Sequence, residues 1–132
     1  MKKILICLSM MAICFAAVAV TEAAADVYTY YSNGRLQSKT LDAPDASGAV
    51  CYHYLNENFK LRGYGRIDRQ VLAQKNGEGA IAYAFTYQSS ASEVVRIKRC
   101  YGTVSYSSPG NPVFSNLVVT YLYYTSGRIQ TK

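Results

Sequence analysis

Cys51 and His53 stand two residues apart, and Cys100 is the other cysteine of the chain's later part. On a strand, residues at i and i+2 share a face, so Cys51 and His53 have the spacing of a thiolate–imidazole pair, which would be nucleophilic. The same three residues would supply three zinc ligands, with no evident fourth. The chain has one histidine, which excludes any site that needs two imidazoles. The carboxylates Asp42, Asp45, Glu57, Asp68, Glu78 and Glu93 are scattered over turns and loops, with nothing in their spacing that pairs two of them as a glycosidase requires. Glu78 lies between Gly77 and Gly79 and reads as a solvated hairpin tip. No serine sits in a nucleophile elbow, and no glycine-rich phosphate loop precedes a helix. The residues therefore favour a non-enzymatic protein with no catalytic residue, cofactor or metal.

The compartment decides how the cysteines read. Lys2 and Lys3 precede an apolar run over residues 4–20, and Ala23 and Ala25 occupy the −3 and −1 positions of a small-residue cleavage site. Residues 1–25 thus have the form of a secretory signal peptide. The run of 17 residues is at the short limit for crossing a bilayer, and Cys14 follows the bulky Ile13, a poor lipoprotein site. The expected location is periplasmic or secreted, with no membrane association after cleavage. Cleavage discards Cys7 and Cys14 and leaves an even pair, Cys51 and Cys100, 49 residues apart. In an oxidising compartment such a pair is expected to form one disulfide. A loop of that length would stabilise by about 4 kcal/mol on chain entropy alone.

Residues 26–132 are expected to form one domain. Without Lys2, Lys3 and Glu22, twelve basic and seven acidic residues remain, a net charge of +5. The basic residues are dispersed; the densest stretch is Arg96, Lys98, Arg99. That is too sparse for a nucleic-acid footprint, while leaving a weak attraction to anionic envelope polymers. All 13 tyrosines lie in this part, and there is no tryptophan. Segments 27–31, 49–55, 80–87, 94–106 and 117–124 are rich in Tyr, Val, Ile and Thr and read as strands. Asn33-Gly34, Asn76-Gly77 and Ser126-Gly127 read as turns, and residues 107–112, with two prolines, as a longer loop. Only residues 58–72 allow a helix, weakened by Gly63 and Gly65. The expected fold is all-β: an antiparallel meander of hairpins stapled by one disulfide.

One unit occurs twice. Residues 28–39, YTYYSNGRLQSK, and 121–132, YLYYTSGRIQTK, are identical at seven of twelve positions. Tyr28 and Tyr30, like Tyr121 and Tyr123, put two rings on one strand face. Gly34 and Gly127 supply a left-handed turn. Arg35 and Arg128 open the returning strand, with a ring or an acid in reach, and Leu36 and Ile129 follow as core positions. Tyr52/Tyr54 and Tyr83/Phe85/Tyr87 repeat the ring spacing. Tyr28 and Tyr123 are candidate rings for stacking on a glycan, in competition with packing of the sheet.

Tyr-x-Tyr-x-x-x-Gly-Arg-Leu/Ile resembles the YD repeat of RHS-type secreted proteins. The match covers residues 28–41 and 121–132, with a degenerate unit at 48–62 and a fainter one at Phe85-Thr86-Tyr87. It departs at the family's Asp, which is Tyr31 and Tyr124 here. A rival resemblance is to MORN-like hairpin repeats, which also carry Tyr-Tyr-x-Asn-Gly; the Gly-Arg-Leu/Ile that follows favours the first. In RHS-type proteins many such repeats form a sheet strip wound into a hollow shell around a cargo. This chain is too short for a shell, and its second copy stops inside the motif, so the resemblance implies a scaffold or binding surface that is the N-terminal piece of a longer protein of this type, or a decayed remnant of one. The expected partners are further repeats of a longer chain, a protein partner that a MORN-like protein would sequester, or envelope polysaccharide.

Overall fold

A computed structural model describes residues 25–73 and 81–132. Residues 1–24, which hold all but the last residue of the expected leader, and the Asn76-Gly77 turn with Glu78 lie outside the described residues. The chain is all-β. Eight strands, β1 (Val27–Tyr30), β2 (Leu36–Thr40), β3 (Ala49–Tyr54), β4 (Ile67–Leu72), β5 (Ile81–Tyr87), β6 (Val95–Ser108), β7 (Asn111–Tyr123) and β8 (Ile129–Thr131), form one antiparallel sheet in sequence order. The one helical element described is a 3-10 turn, Phe59–Leu61. Residues 58–72, the one stretch whose composition allows a helix, hold that turn and β4. Gly63 is left-handed at φ 75°, and Gly65 packs so closely that a Cβ would collide with the Leu55 carbonyl.

Three hairpin turns share one backbone design. Tyr31 N–H donates to Arg35 O and Gly34 N–H to Tyr31 O. Asp45 with Ala49 and Gly48 makes the same pair of bonds, as does Tyr124 with Arg128 and Gly127. The closing glycines have φ of 81°, 81° and 80°. This is the three-residue loop in which a type I turn ends on a left-handed glycine. The first and last of these turns belong to the two repeat copies, which form the β1–β2 and β7–β8 hairpins at opposite ends of the sheet. Residues 48–62 span the middle turn's glycine, β3 and the 3-10 turn.

The β6–β7 hairpin is the longest element. Its turn is tighter than the expected loop over 107–112: Ser108 pairs with Asn111 around Pro109-Gly110. It also bends. Asn116 takes φ 60°, and Val118 is an extra residue between Leu117, opposite Tyr101, and Val119, opposite Cys100. A bulge of this kind kinks a strand. The hairpin's tip returns over the sheet: Gly110 packs against Ser38 and Thr29, and Arg69 of β4 donates to the Pro112 carbonyl. Under the tip lies a small core with Ala49, Cys51, Val71 and Ala82, and the buried polar residues Ser38 and His53.

The register overturns the expected disulfide. Cys51 shares a cross-strand row with Val71, Ala82 and Tyr101. Cys100 sits in the adjacent row with Gln70, Tyr83 and Val119. Adjacent rows point to opposite sides of the sheet, so the two sulfurs face away from each other. Two strands also lie between them, about 14 Å of sheet against the ~4.4–6.8 Å that a disulfide allows. Both cysteines are free, Cys51 buried and Cys100 half-buried. Thiol titration of the folded protein is expected to label Cys100 and spare Cys51, denaturant to release both, and a reductant to leave the melting temperature unchanged. Absence of free thiols at these positions in denaturant would contradict the register.

Ile129 is likewise not a core residue. It is 59 % exposed, because β8 is an edge strand, with β7 on one side and no described strand on the other. Its counterpart Leu36 is half-buried and bridges to Tyr64.

Candidate functional site

The alternation of β3 sends Ala49, Cys51 and His53 to the core and Val50, Tyr52 and Tyr54 outward. The Cys51–His53 pair therefore shares a face, beneath the docked tip. Between His53/Arg69 and Tyr54/Ile67 the register slips by one residue at Asp68. The bulge turns Asp68 to the same side as Arg69, and both reach the imidazole. Asp68 Oδ1 is 2.7 Å from His53 Nδ1, and Arg69 Nη2 is 3.0 Å from Nε2. Both ring nitrogens are occupied, and the Tyr31 ring stands edge-on at 6.2 Å. The Cys51 sulfur accepts from the Thr40 hydroxyl at 3.7 Å. Burial pushes the Cys51 thiol up, opposite to the lowered pKa a nucleophilic thiolate needs. The cluster serves position: Arg69 ties His53 and Asp68 to Pro112 in the tip.

Asp45, Glu57 and Glu93 are each held by their own donors. Asp45 accepts from Ser47 N–H, Ser47 Oγ and Ala49 N–H, and also from Tyr52 Oη. Those hydroxyls, Ser47 first, hold its carboxyl at about 2 and so keep the β2–β3 turn anionic. Glu93 pairs with Arg62 and with Lys60. Glu57 grips Arg66 through both oxygens, at 2.7 and 3.0 Å. Cys100, on the far face, is separated from Cys51 and His53, and among the described residues no three His, Cys, Asp or Glu side chains gather as metal ligands.

Arg66, which sequence pattern did not single out, is the most elaborately held cation among the described residues. It is 8 % exposed, donates to the Ser89 and Ser92 carbonyls, and lies between the rings of Phe59 and Tyr87, 4.7 and 4.4 Å from their centroids. It fastens the loop after β5 to the segment before β4.

The outward side of the sheet carries rings and lysines in alternation. One row runs Tyr28, Lys39, Tyr52, Gln70, Tyr83, Cys100, Val119; the next contains Phe85, Lys98 and Tyr121. Two clusters result. In the first, Lys39 Nζ is 5.7 Å from the Tyr28 ring, Tyr52 stacks on Tyr54, and Tyr54 meets Tyr64 edge-on at 5.6 Å. Past Tyr54 it opens into a cleft of about 310 Å³ lined by Arg62, Tyr64, Arg66, Tyr87 and Glu93. In the second, Lys98 Nζ lies 3.8 Å from the Tyr83 ring centroid, Phe85 is beside Tyr83, and Lys132 Nζ is 5.7 Å from Tyr121. A hollow of about 400 Å³ there is lined by Phe85, Val94, Val95, Lys98, Tyr123 and Gly127. Burial pushes the Tyr54 and Tyr83 hydroxyls up, so both stay neutral phenols.

The repeat copies meet in these clusters. Their first Tyr and last Lys, Tyr28 with Lys39 and Tyr121 with Lys132, form the same cross-hairpin ring–cation contact at the same 5.7 Å. The cation over the ring is thus the lysine of the motif, eleven residues along, whereas Arg35 and Arg128 close the turns with their carbonyls. Tyr28 and Tyr123 lie on the same side of the sheet but in different clusters. Compared with known protein families, curated proteins and solved structures, the chain matches none.

Proposed function

We propose that the chain is an exported, non-enzymatic β-sheet protein that acts as a binding surface, and that its ligand is an envelope polysaccharide held on the tyrosine–lysine side of the sheet. The observation that carries this reading is the alternation itself. Half-exposed rings flanked by ammonium groups on one continuous face offer stacking planes for sugar rings and charge for acidic substituents. Rings two strands apart, as Tyr28 and Tyr52 are, stand about 10 Å apart, the reach of roughly two sugars of an extended chain. Lysines that already lie over rings pay little further ordering cost on meeting a ligand. On this reading the resemblance to YD/RHS repeats is one of scaffold: the hairpins supply a sheet strip and the rings its function.

Retention of the purified protein on gels carrying neutral and acidic polysaccharides tests it. Tyr28→Ala and Tyr123→Ala are each expected to weaken binding by roughly 2- to 10-fold, the worth of one ring contact, with melting temperature nearly unchanged. If no polysaccharide retains the wild-type protein, the reading fails. A second reading, a MORN-like protein that sequesters a protein partner, draws on Val113, Leu117 and Val118 of β7, apolar side chains that are 45–64 % exposed, of the kind partners cover. Leu117→Lys would then abolish function while Tyr28→Ala would not.

A further inference from the structure

The two copies of the repeat are exposed in complementary halves. In the first copy the returning strand is covered: Ser38 is fully buried and Leu36 half-buried, while Tyr28 and Tyr30 of β1 are 45 % and 60 % exposed. In the second copy the leading strand is covered, with Tyr121 and Tyr123 half-buried, while every residue of β8 is exposed. The difference lies in the neighbours. β2 has β3 on its far side; β8, its copy in sequence, has no strand there among the described residues.

What β2 accepts on that side is informative. β3 pairs with β2 through His53 opposite Ser38, Tyr52 opposite Lys39 and Cys51 opposite Thr40. It brings Tyr-x-Tyr, Tyr52 and Tyr54, to the outward face beside Lys39. β8 continues as Ile-Gln-Thr-Lys where β2 begins Leu-Gln-Ser-Lys. Among the described residues one other strand has Tyr-x-Tyr and an open edge: β1, with Tyr28 and Tyr30. Within one molecule β1 and β8 lie at opposite edges. From a second molecule in the same orientation, β1 runs antiparallel to β8, as in every pair of this meander.

The geometry points to head-to-tail assembly of this chain with copies of itself, β8 of one molecule pairing with β1 of the next in the register that joins β2 to β3. Tyr28 of the incoming molecule then lies opposite Lys132, and Thr29 opposite Thr131. Lys132 gains a second flanking ring, as Lys39 has in Tyr28 and Tyr52, and the ring–lysine alternation continues from molecule to molecule. The backbone groups of both edges, otherwise a template for unspecific pairing, are satisfied. Because the two patches differ, the contact is heterologous and generates a ring or a filament, not a closed dimer.

Cross-linking tests this. In a Cys51→Ala, Cys100→Ser background, a chain carrying Tyr28→Cys and Lys132→Cys is expected to give a ladder of dimer, trimer and larger species on mild oxidation. A mixture of the two single variants is expected to stop at a dimer containing one of each. Homodimers formed as readily by either single variant would show two-fold pairing and overturn the proposal, as would the absence of a ladder. The unsubstituted protein gives an independent reading by sedimentation equilibrium. Its average mass is expected to keep rising with concentration past that of a dimer, and a plateau at monomer or dimer would equally overturn the proposal. Polysaccharide retention does not enter either measurement, so the assembly and the binding face stand or fall separately.

Discussion

Arg66→Ala is expected to cost the fold about 3–5 kcal/mol, the range for breaking a buried ion pair on one side. The side chain is 7 % exposed and its partner Glu57 28 %. Truncation strands the Glu57 carboxylate, frees the carbonyls of Ser89 and Ser92, and leaves a gap between Phe59 and Tyr87. A domain of this size is stable by about 5–15 kcal/mol in total, so the melting temperature should drop by on the order of 15 °C or more. Arg66→Lys should recover only part of this, because an ammonium cannot grip both Glu57 oxygens and two carbonyls at once. The pair also sets an acid response. Hydrogen bonding to Arg66 is the main cause that holds Glu57 below its ordinary value of 4.5. A depressed folded-state pKa gives stability that is complete above about pH 4.5 and is lost as the pH falls through the lowered value. Arg66→Ala should therefore flatten the pH dependence in that window as well as lower the whole curve. A urea midpoint near that of wild type would refute the role assigned to Arg66.

Gly110→Ala is expected to undock the β6–β7 tip and cost about 2–5 kcal/mol, the sum of a left-handed backbone penalty and overpacking. Gly110 has φ 72°, and a Cβ there would collide with Ser38 Oγ, reach 3.0 Å from Ser38 Cβ and 3.2 Å from Thr29 Cγ2. Ser38 has little room to give: it is fully buried, and its hydroxyl is 2.6 Å from that of Thr29. Gly34→Ala is the matched control. Its φ is 81°, yet nothing lies within 4 Å of the added methyl, so it should carry only the backbone part, about 1–2 kcal/mol. Equal losses for the two substitutions, measured by urea denaturation, would mean that the tip does not pack on β1 and β2 as described.

The strands rich in Tyr and Val were legible because ring and β-branched side chains alternate in them; β3, β5 and β6 begin within a residue of where that pattern starts. β4 was not, since Ile67–Leu72 follows two glycines and carries Asp68, Arg69 and Gln70 in sequence, a mixture that fits an exposed helix as well as a strand. The first half of β7 was hidden by Pro112 and the bend at Asn116. The turn at Gly48 is not among those predicted, although Ser47-Gly48 is the same dipeptide as Ser126-Gly127. The disulfide expectation rested on compartment and number, which say nothing of parity. Which face a cysteine takes depends on register across four strands and on each bulge between them. The tyrosine–lysine face shows the same limit. The Tyr-x-Tyr spacing is visible in the sequence, whereas the lysine each ring meets is set by hairpin pairing: Tyr28 and Lys39 are eleven residues apart. Arg66, Asp68 and Arg69 carry no spacing signal, because their partners come from loops and from a bulge.

Every strand pairs with its neighbours in sequence, so the sheet can be laid down hairpin by hairpin with short loop closures. Such local order favours rapid folding. The docked tip is the exception, since Gly110 meets Thr29 and Ser38 from more than seventy residues away. Its contacts form once most of the sheet exists and are the first to be released. Their energy then appears in the barrier to unfolding rather than in the speed of folding. On the proposed reading of a protein exported into an environment without ATP-driven chaperones, the latch would set how long a folded molecule lasts.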